Sequence, residues 1–174
     1  MKKLIFALSA LLLIVSACGE KKTKTFTYGD LTFTYPAEYE LDSTTQDDGT
    51  LVVYLQHKDI LSNSLNMEVY ALDMDQVNAA SEEELLNYLK GYCQDYYDIW
   101  VGDDDDFVIE AQSELDTNNS PLMAYITMRG KAYDEPFDGE IICMIWDEYC
   151  LTGFVSGVDE KASDEVLDIM LSCM

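Results

Sequence analysis

Histidine and cysteine are the residue types that most often act as bases, nucleophiles or metal ligands, and this chain has one histidine and five cysteines. His57 lies near Asp59, Ser62 and Ser64, a composition that would suit a hydrolytic triad. No nucleophile-elbow pattern surrounds these serines, and the histidine and cysteines lack the close paired spacing of a zinc site. We therefore interpret His57 as a structural or surface histidine and predict no metal site, no cofactor and no enzymatic activity.

Apart from Cys18, the cysteines are Cys93, Cys143, Cys150 and Cys173. Four cysteines allow three disulfide pairings in an oxidising compartment. If Asp147 and Glu148 form a two-residue hairpin turn, Cys143 and Cys150 are diagonal neighbours about 7 to 8 Å apart, which exceeds the usual Cα separation of a disulfide. We expect buried free thiols, with a bridge between Cys93 and Cys173 as the alternative.

Carboxylates are the most abundant candidates for chemistry. Asp103 to Asp106 suggests calcium, but the EF-hand template requires an oxygen ligand at position 5 and glycine at position 6. Counted from Asp103, those positions are Phe107 and Val108, so we predict a solvated acidic turn, with weak cation binding as the alternative. The other carboxylates have no spacing that forces two of them together, as glycoside hydrolysis requires. Those considered are Glu110, Glu114, Asp116, Asp134, Glu135 and Asp138.

Tyrosine is in clear excess, with 12 in the chain. Four tyrosines lie along one predicted helix, with Trp100 shortly after them: Tyr88, Tyr92, Tyr96 and Tyr97. Such side chains commonly pack their rings on a sheet and direct their hydroxyls to water, but tyrosine and tryptophan also favour binding interfaces. Tyr88 and Tyr97 fall outside the main apolar stripe of the helix. We therefore take Tyr88, Tyr97 and Trp100 as the candidate interaction surface.

Residues 1–17 have the three regions of an export signal: basic Lys2 and Lys3, an apolar run from Leu4 to Val15, and small residues before Cys18. The apolar run has about a dozen residues, too few to span a bilayer core that needs about 20. The sequence Val15-Ser16-Ala17-Cys18 resembles the lipobox of bacterial lipoproteins. The resemblance implies a diacylglyceryl thioether on Cys18, cleavage after Ala17 and an acylated amino group. An ordinary signal peptide and an uncleaved anchor are the alternatives.

Charge divides the chain into an anchor region and an acidic body. The whole chain has 10 basic and 34 acidic residues and a formal net charge of −24. From residue 25 onward, five basic residues remain against 33 acidic ones, because Lys2, Lys3, Lys21, Lys22, Lys24 and Glu20 lie earlier. Nucleic acid is thereby excluded as a partner, since phosphate binding needs clustered Lys and Arg. We expect a signal peptide at 1–17, a lipidated stalk at 18–25 and one domain at 26–174.

The remaining sequence combines strand patterns with two amphipathic helices. Residues 26–28 and 31–35 alternate aromatic and polar side chains, which predicts a hairpin. Ser81 and Glu84 match a capping box that begins a helix ending near Asp98. Residues 140–146 are apolar almost throughout, as in a strand covered on both faces. Further strands at 51–56, 65–72, 107–115, 122–132 and 149–155, with a final helix from about residue 159, give the order ββββαββββα. This predicts an α+β fold, a mainly antiparallel β-sheet flanked by two helices.

This order resembles that of the Mog1/PsbP-like group. The similarity depends on the turn Phe33-Thr34-Tyr35-Pro36-Ala37-Glu38-Tyr39, the helix start Ser81-Glu82-Glu83-Glu84-Leu85 and the strand near Tyr149. It implies a central antiparallel sheet flanked by helices, in a group composed mostly of binding or assembly factors without catalysis. The group has no shared catalytic signature, so the resemblance assigns no functional residue in this chain.

These features predict a lipid-anchored protein of the cell envelope that acts as a non-catalytic binding or assembly factor, with an acidic, tyrosine-bearing surface for a protein partner. The alternative is a lipid-anchored module for a soluble ligand, either a cation or a glycan. A deep site lined by aromatic rings and carboxylates would favour the ligand, and a flat surface would favour the protein. Gly19 and Glu20 follow Cys18 without the aspartate that favours inner-membrane retention, so we expect the outer membrane if the source is Gram-negative.

The substitution Cys18→Ala tests the membrane anchor. Two or three acyl chains hold a protein on a membrane essentially permanently, at about 0.8 kcal/mol per buried methylene, and the substitution removes the thiol that would carry the first two. We expect the variant in the soluble fraction after ultracentrifugation of lysed cells, while the unchanged chain sediments with membranes. Retention of the variant in the membrane fraction, measured by immunoblotting, would rule out the lipid anchor.

Overall fold

A computed structural model of the protein describes residues 22–102, 107–119, 122–132 and 134–172. The predicted signal peptide, Cys18, the acidic run Asp103 to Asp106 and Cys173 lie outside these residues. Within the described ranges, no helix is both long and apolar enough to cross a membrane.

The described residues form ten strands, three α-helices and one π-helical turn. The first part of the chain contains β1 (Thr23–Tyr28), β2 (Leu31–Pro36), β3 (Tyr39–Thr45), β4 (Leu51–His57), β5 (Ser64–Ala71), α1 (Met74–Ala79) and α2 (Glu82–Tyr97). A π-helical turn, Asp98–Gly102, continues α2. The rest comprises β6 (Phe107–Gln112), β7 (Asp116–Asn119), β8 (Leu122–Ala132), β9 (Glu135–Trp146), β10 (Tyr149–Gly157) and α3 (Glu160–Leu171).

Eight strands form one antiparallel sheet with the order β3-β4-β5-β10-β9-β8-β6, and β7 pairs with β8 on the same side as β6. Strands β1 and β2 form a separate hairpin. At the centre of the sheet, β9 and β10 are joined by the predicted two-residue turn Asp147-Glu148, in which Asp147 has a φ of 51°. A left-handed residue at this position is typical of the tight turns that match the twist of a hairpin.

The β1–β2 hairpin and α3 cover the first face of the sheet. Phe26 and Phe33 of the hairpin lie with their ring centroids 5.1 Å apart, and Val166 and Met170 of α3 are fully buried in the same cluster. The second face is covered by α2, which packs on β8, β9 and β10 through Leu89, Cys93 and Tyr96. In β9, residues 141–144 are all buried, with Ile142 and Met144 on the first face and Ile141 and Cys143 on the second. The prediction that this strand is covered on both faces is confirmed.

The first strand begins at Thr23, before Phe26, the predicted start of the domain. Strand β1 starts at Thr23, which pairs with Pro36, and the Lys22 carbonyl accepts a hydrogen bond of 2.7 Å from the Ala37 N–H. The Lys24 ammonium donates to the Tyr39 carbonyl at 3.0 Å and lies 5.6 Å from the centroid of the Tyr35 ring. Lys24 is therefore bound to the domain instead of belonging to a free stalk.

The α+β class and the mainly antiparallel sheet agree with the prediction, but three short elements were not predicted. Strands β3 and β7 are rich in polar residues, and each pairs with a single neighbouring strand, so neither shows the apolar run of a buried strand. Helix α1 has six residues, too few for a periodic apolar face, and it begins because the Asp73 side chain caps its N–H groups. The observed order is therefore five strands, two helices, five strands and one helix.

Close packing requires glycine at Gly157, where β10 meets the start of α3. A Cβ added there would overlap the backbone of Ala162 and Ser163. We expect Gly157→Ala to lower the free energy of unfolding by about 1 to 3 kcal/mol, as overpacking does in dense cores. The control is Gly91→Ala in the exposed part of α2, where a Cβ meets nothing within 4 Å. It should raise that free energy by about 0.5 to 1 kcal/mol, because alanine favours helix. Urea denaturation measures both changes, and a neutral Gly157→Ala would contradict the close approach of α3.

Glu140 of β9 is a partly buried carboxyl on the first face, near Asp164 of α3. Burial, followed by the Asp164 carboxylate, raises the pKa of Glu140 above its ordinary value. A carboxyl whose pKa is higher in the folded chain holds its proton more tightly there than in the unfolded chain. Its contribution to stability is therefore present at acidic pH and is lost as pH rises from the ordinary glutamate value through the raised value.

Glu140→Gln removes this pH-dependent cost. We expect a higher thermal midpoint than the unchanged chain at pH 7 and little difference near pH 4. Solvent screening at a partly exposed group limits the gain to about 1 kcal/mol, which corresponds to about 2 to 4 °C in a domain of this size. Glu110→Gln, in the exposed part of β6, removes the same charge and serves as the control. Equal gains for both variants would attribute the effect to general charge repulsion and not to burial of Glu140.

Candidate functional site

Two tyrosines of α2 line a cleft of 480 Å³ at one end of the second face. The cleft, called here the tyrosine cleft, forms where the end of β5, α1, the first turns of α2 and the end of β9 meet. Its lining residues are Tyr70, Ala71, Leu72, Asp73, Gln76, Val77, Ala80, Glu84, Leu85, Tyr88, Tyr92 and Ile145. No lysine or arginine is among these described lining residues.

The three tyrosine rings of the cleft form a contact series. The ring centroids of Tyr88 and Tyr92 are 4.8 Å apart and those of Tyr70 and Tyr92 are 5.7 Å apart, both pairs in tilted arrangements. Tyr88 and Tyr92 remain 42% and 39% exposed although they also pack on one another. The series therefore offers aromatic surface to a ligand while its own contacts fix the rings.

The Tyr70 and Tyr88 hydroxyl groups have raised pKa values. Burial, and then the neighbouring Cys150 thiol, raise the pKa of Tyr70 far above its ordinary value. Burial, followed by the Tyr92 hydroxyl, raises the pKa of Tyr88 to about 12. At physiological pH these phenols carry no charge, so they remain hydrogen-bond donors at the inner end and rim of the cleft.

Two carboxylates at the cleft are fixed by helix capping. The Asp73 Oδ1 accepts from the Asp75 and Gln76 N–H groups at 3.1 and 3.4 Å, and its Oδ2 accepts from the Gln76 amide at 2.9 Å. Glu84 Oε2 accepts from the Ser81 N–H at 2.8 Å and from the Ser81 hydroxyl at 2.7 Å, which completes the predicted capping box. The Ser81 N–H and then its hydroxyl lower the pKa of Glu84, so this carboxylate is charged at neutral pH.

The predicted interaction surface is not brought together in one place. Tyr88 lies in the tyrosine cleft, whereas the Tyr97 hydroxyl donates to Gln112 Oε1 of β6 at 2.7 Å. Nine helical positions separate the two, which is about two and a half turns and places them on opposite sides of α2. The Trp100 side chain lies outside the described residues.

Sequence reasoning missed Tyr70 and Tyr92 as partners of Tyr88. Tyr92 was assigned to the apolar stripe of the helix, although it remains partly exposed. Tyr70 of β5 could have been placed on the α2 side of the sheet, because it alternates with Leu65, Met67 and Val69, which point to the first face. The pairing of β5 with β10, which brings Tyr70 opposite Cys150, could not be read from spacing.

His57 has the predicted structural role. Its ring packs edge-on against Tyr39 with centroids 5.1 Å apart, and its Nδ1 accepts from the N–H groups of Asp59 and Ile60 at 3.1 and 3.2 Å. These bonds fix the turn between β4 and β5, so the imidazole nitrogen that faces this turn is already occupied.

Cys93, Cys143 and Cys150 are buried free thiols, as expected. Because Cys93 is free, the alternative bridge to Cys173 is not formed, and Cys173 itself lies outside the described residues. A hydrogen bond with Cys93, followed by burial, raises the pKa of Cys143, and burial raises that of Cys150 to about 12. Thiols with such pKa values are poor nucleophiles at neutral pH.

Two other concave surfaces are less suited to a ligand than the tyrosine cleft. A pocket of 330 Å³ between β8, β9 and α3 contains the ion pair of Arg129 with Asp138, 2.5 Å from Nε to Oδ1, and a 3.6 Å contact of Arg129 with Glu160. Across the described parts of the chain, no three His, Cys, Asp or Glu side chains converge as metal ligands. A second surface is an apolar groove of 580 Å³ that includes Phe107 and Ala132. Residues 106 and 133 beside them lie outside the described residues, so the lining of this groove is described only in part. The tyrosine cleft is therefore the best-defined candidate.

Comparisons with known proteins identify the fold. No protein-family model matches the chain, and no curated protein matches it in sequence. The solution structure of cyanobacterial PsbP (CyanoP) from Synechocystis sp. PCC 6803 is similar, with a TM-score of 0.50 and 12% sequence identity over 91% of this chain and 96% of that one. At this identity the similarity concerns the fold alone, and it shows that the domain is PsbP-like in architecture.

Proposed function

We propose that the protein is a non-catalytic binding or assembly factor of the bacterial cell envelope, attached to a membrane through Cys18, and that it recognises a protein partner at the tyrosine cleft. The observation that carries the protein partner is the exposure of Tyr88 and Tyr92 at the rim of the cleft beside fixed negative charges. Tyrosine is among the residue types enriched in the hot spots of protein interfaces.

The lipobox-like Val15-Ser16-Ala17-Cys18 supports the proposed membrane attachment. Since β1 begins at Thr23, only residues 19–22 lie between the proposed lipidated position and the fold. The five Cα–Cα steps from Cys18 to Thr23 span at most about 18 Å when extended. Such a tether would keep the domain beside the membrane surface, with the outer membrane favoured in a Gram-negative source.

A soluble ligand is the second candidate, and the concavity of the site favours it. The cleft volume of 480 Å³ falls within the range of about 300 to 1,000 Å³ that is usual for small-molecule sites. An aromatic and acidic lining would suit an organic cation better than a glycan, because the ring faces and the two carboxylates both attract positive charge.

Site-specific photocrosslinking in intact cells tests the partner. A photoreactive phenylalanine analogue replaces Tyr88 in one variant and Tyr97 in the other, so that the two probes lie on opposite sides of α2. We expect one protein to be captured from position 88, and neither from position 97 nor when Cys18→Ala is combined with the probe at position 88. If no protein is captured specifically at position 88, recognition of a protein at the cleft is wrong.

A further inference from the structure

We infer that the tyrosine cleft is a receptor for a cationic side chain, a lysine or arginine carried by a segment of a partner protein. The inference rests on the proposed function and adds to it the chemistry of the group recognised. It is carried by three properties of the cleft, namely its charge, its aromatic surface and its apolar inner wall.

The cleft has negative charge from the Asp73 and Glu84 carboxylates. The helix N-termini beside it are capped by side chains of the protein itself. A helix N-terminus would ordinarily attract an anion through its free N–H groups. Here the Asp73 carboxylate caps the Asp75 and Gln76 N–H groups of α1, and the Ser81 side chain caps the Glu84 N–H group of α2. The carboxylates also contribute net negative charge at the rim, and none of the described lining residues is basic. An anionic ligand is therefore disfavoured and a cation is attracted.

The aromatic surface suits a cation that has lost part of its water shell. A lysine or arginine over the face of a tyrosine gains about 0.5 to 1 kcal/mol at exposed sites and about 2 kcal/mol when desolvated. Tyr88 and Tyr92 present such surface with their positions fixed by mutual contact. The same type of contact occurs elsewhere in the chain, where Lys24 lies 5.6 Å from the Tyr35 ring centroid.

The inner wall of the cleft suits the methylene groups of a long basic side chain. Leu72, Val77, Leu85 and Ile145 line it beside the rings. Lysine and arginine bury their aliphatic stems along apolar surface while the charged end stays near polar groups. A small inorganic cation would gain nothing from this wall, which is why an organic cation fits the cleft better than a metal ion.

A protein segment is a better occupant than a free amine because of the charge on the whole domain. From residue 25 onward the chain has 33 acidic and five basic residues. A basic surface around the inserted side chain would gain from this complementarity, which speeds association and selects partners. A free amine presents a single charge and cannot use the surrounding field to the same extent.

Fluorescence anisotropy with labelled peptides tests the inference on the full chain in non-ionic detergent. The probe is a nine-residue Gly/Ser peptide with three lysines, and the matched control is the same peptide with acetylated lysines. We expect saturable binding of the lysine peptide only. Tyr88→Leu and Asp73→Asn should each weaken it about three- to tenfold, the asparagine being chosen because it still caps α1.

Two variants remove the same groups outside the cleft. Tyr97→Leu removes an α2 tyrosine from the opposite side, and Asp75→Asn removes a carboxylate from α1 that does not line the cleft. Both should leave peptide affinity within about twofold, and circular dichroism checks that all four variants are folded. Equal losses in all four variants, or binding of the acetylated peptide, would overturn the inference.

The remaining outcomes separate this inference from the proposed function. If n-butylammonium binds as tightly as the peptide, the occupant is a soluble amine and the protein-segment assignment is wrong. If the lysine peptide fails to bind while photocrosslinking at position 88 still captures a partner, the cationic chemistry is wrong and the proposed function stands. If the peptide binds as expected and no cellular protein is captured, the proposed function fails by itself.

Discussion

Burial of the central β9–β10 hairpin on both faces is the constraint on which the rest of the fold depends. Residues 141–144 of β9 and 150–157 of β10 are buried without interruption, so an apolar layer must cover each side of the sheet. The β1–β2 hairpin with α3 provides one layer and α2 provides the other. Removing either layer would expose a continuous apolar strip to water, which at about 25 cal/mol per Å² of apolar surface no surface interaction could offset.

The tyrosine cleft follows from the unequal widths of the sheet and its second layer. A single helix, α2, packs on β8, β9 and β10, while the same face continues across β5, β4 and β3. Tyr70 lies on this face where β5 pairs with β10, and the first turns of α2 bring Tyr88 and Tyr92 against it. The cleft is therefore a consequence of the element order: β5 leads into α1 and α2 at the end of the sheet where Tyr70 lies.

Local signals in the sequence predicted most of the core but not the site. The Ser81–Glu84 capping box, the apolar run of β9 and the turn at Asp147 each depend on neighbouring residues, and the structure contains all three. Strands β3 and β7 form by hydrogen bonding to one neighbouring strand each. Such pairing does not require an alternating apolar pattern, so the sequence does not show these strands. The structure separates Tyr88 from Tyr97, and it groups Tyr88 with residues that the sequence did not select, for a related reason. Helical periodicity separates Tyr88 from Tyr97, but only strand pairing shows that Tyr70 completes a group with Tyr88.

The placement of the anchor relative to the cleft bears on how such a protein would meet a partner. Strand β1 belongs to the layer on the first face, and the tyrosine cleft opens on the second. With Lys24 bound to Tyr39 and Tyr35, the proposed tether would consist of residues 19–22, of which Lys21 and Lys22 would favour anionic headgroups. The acidic body is repelled by the same headgroups. Under the proposed anchoring, the tether joins the layer on the first face while the cleft opens on the second, so the tether would leave the cleft accessible to a partner.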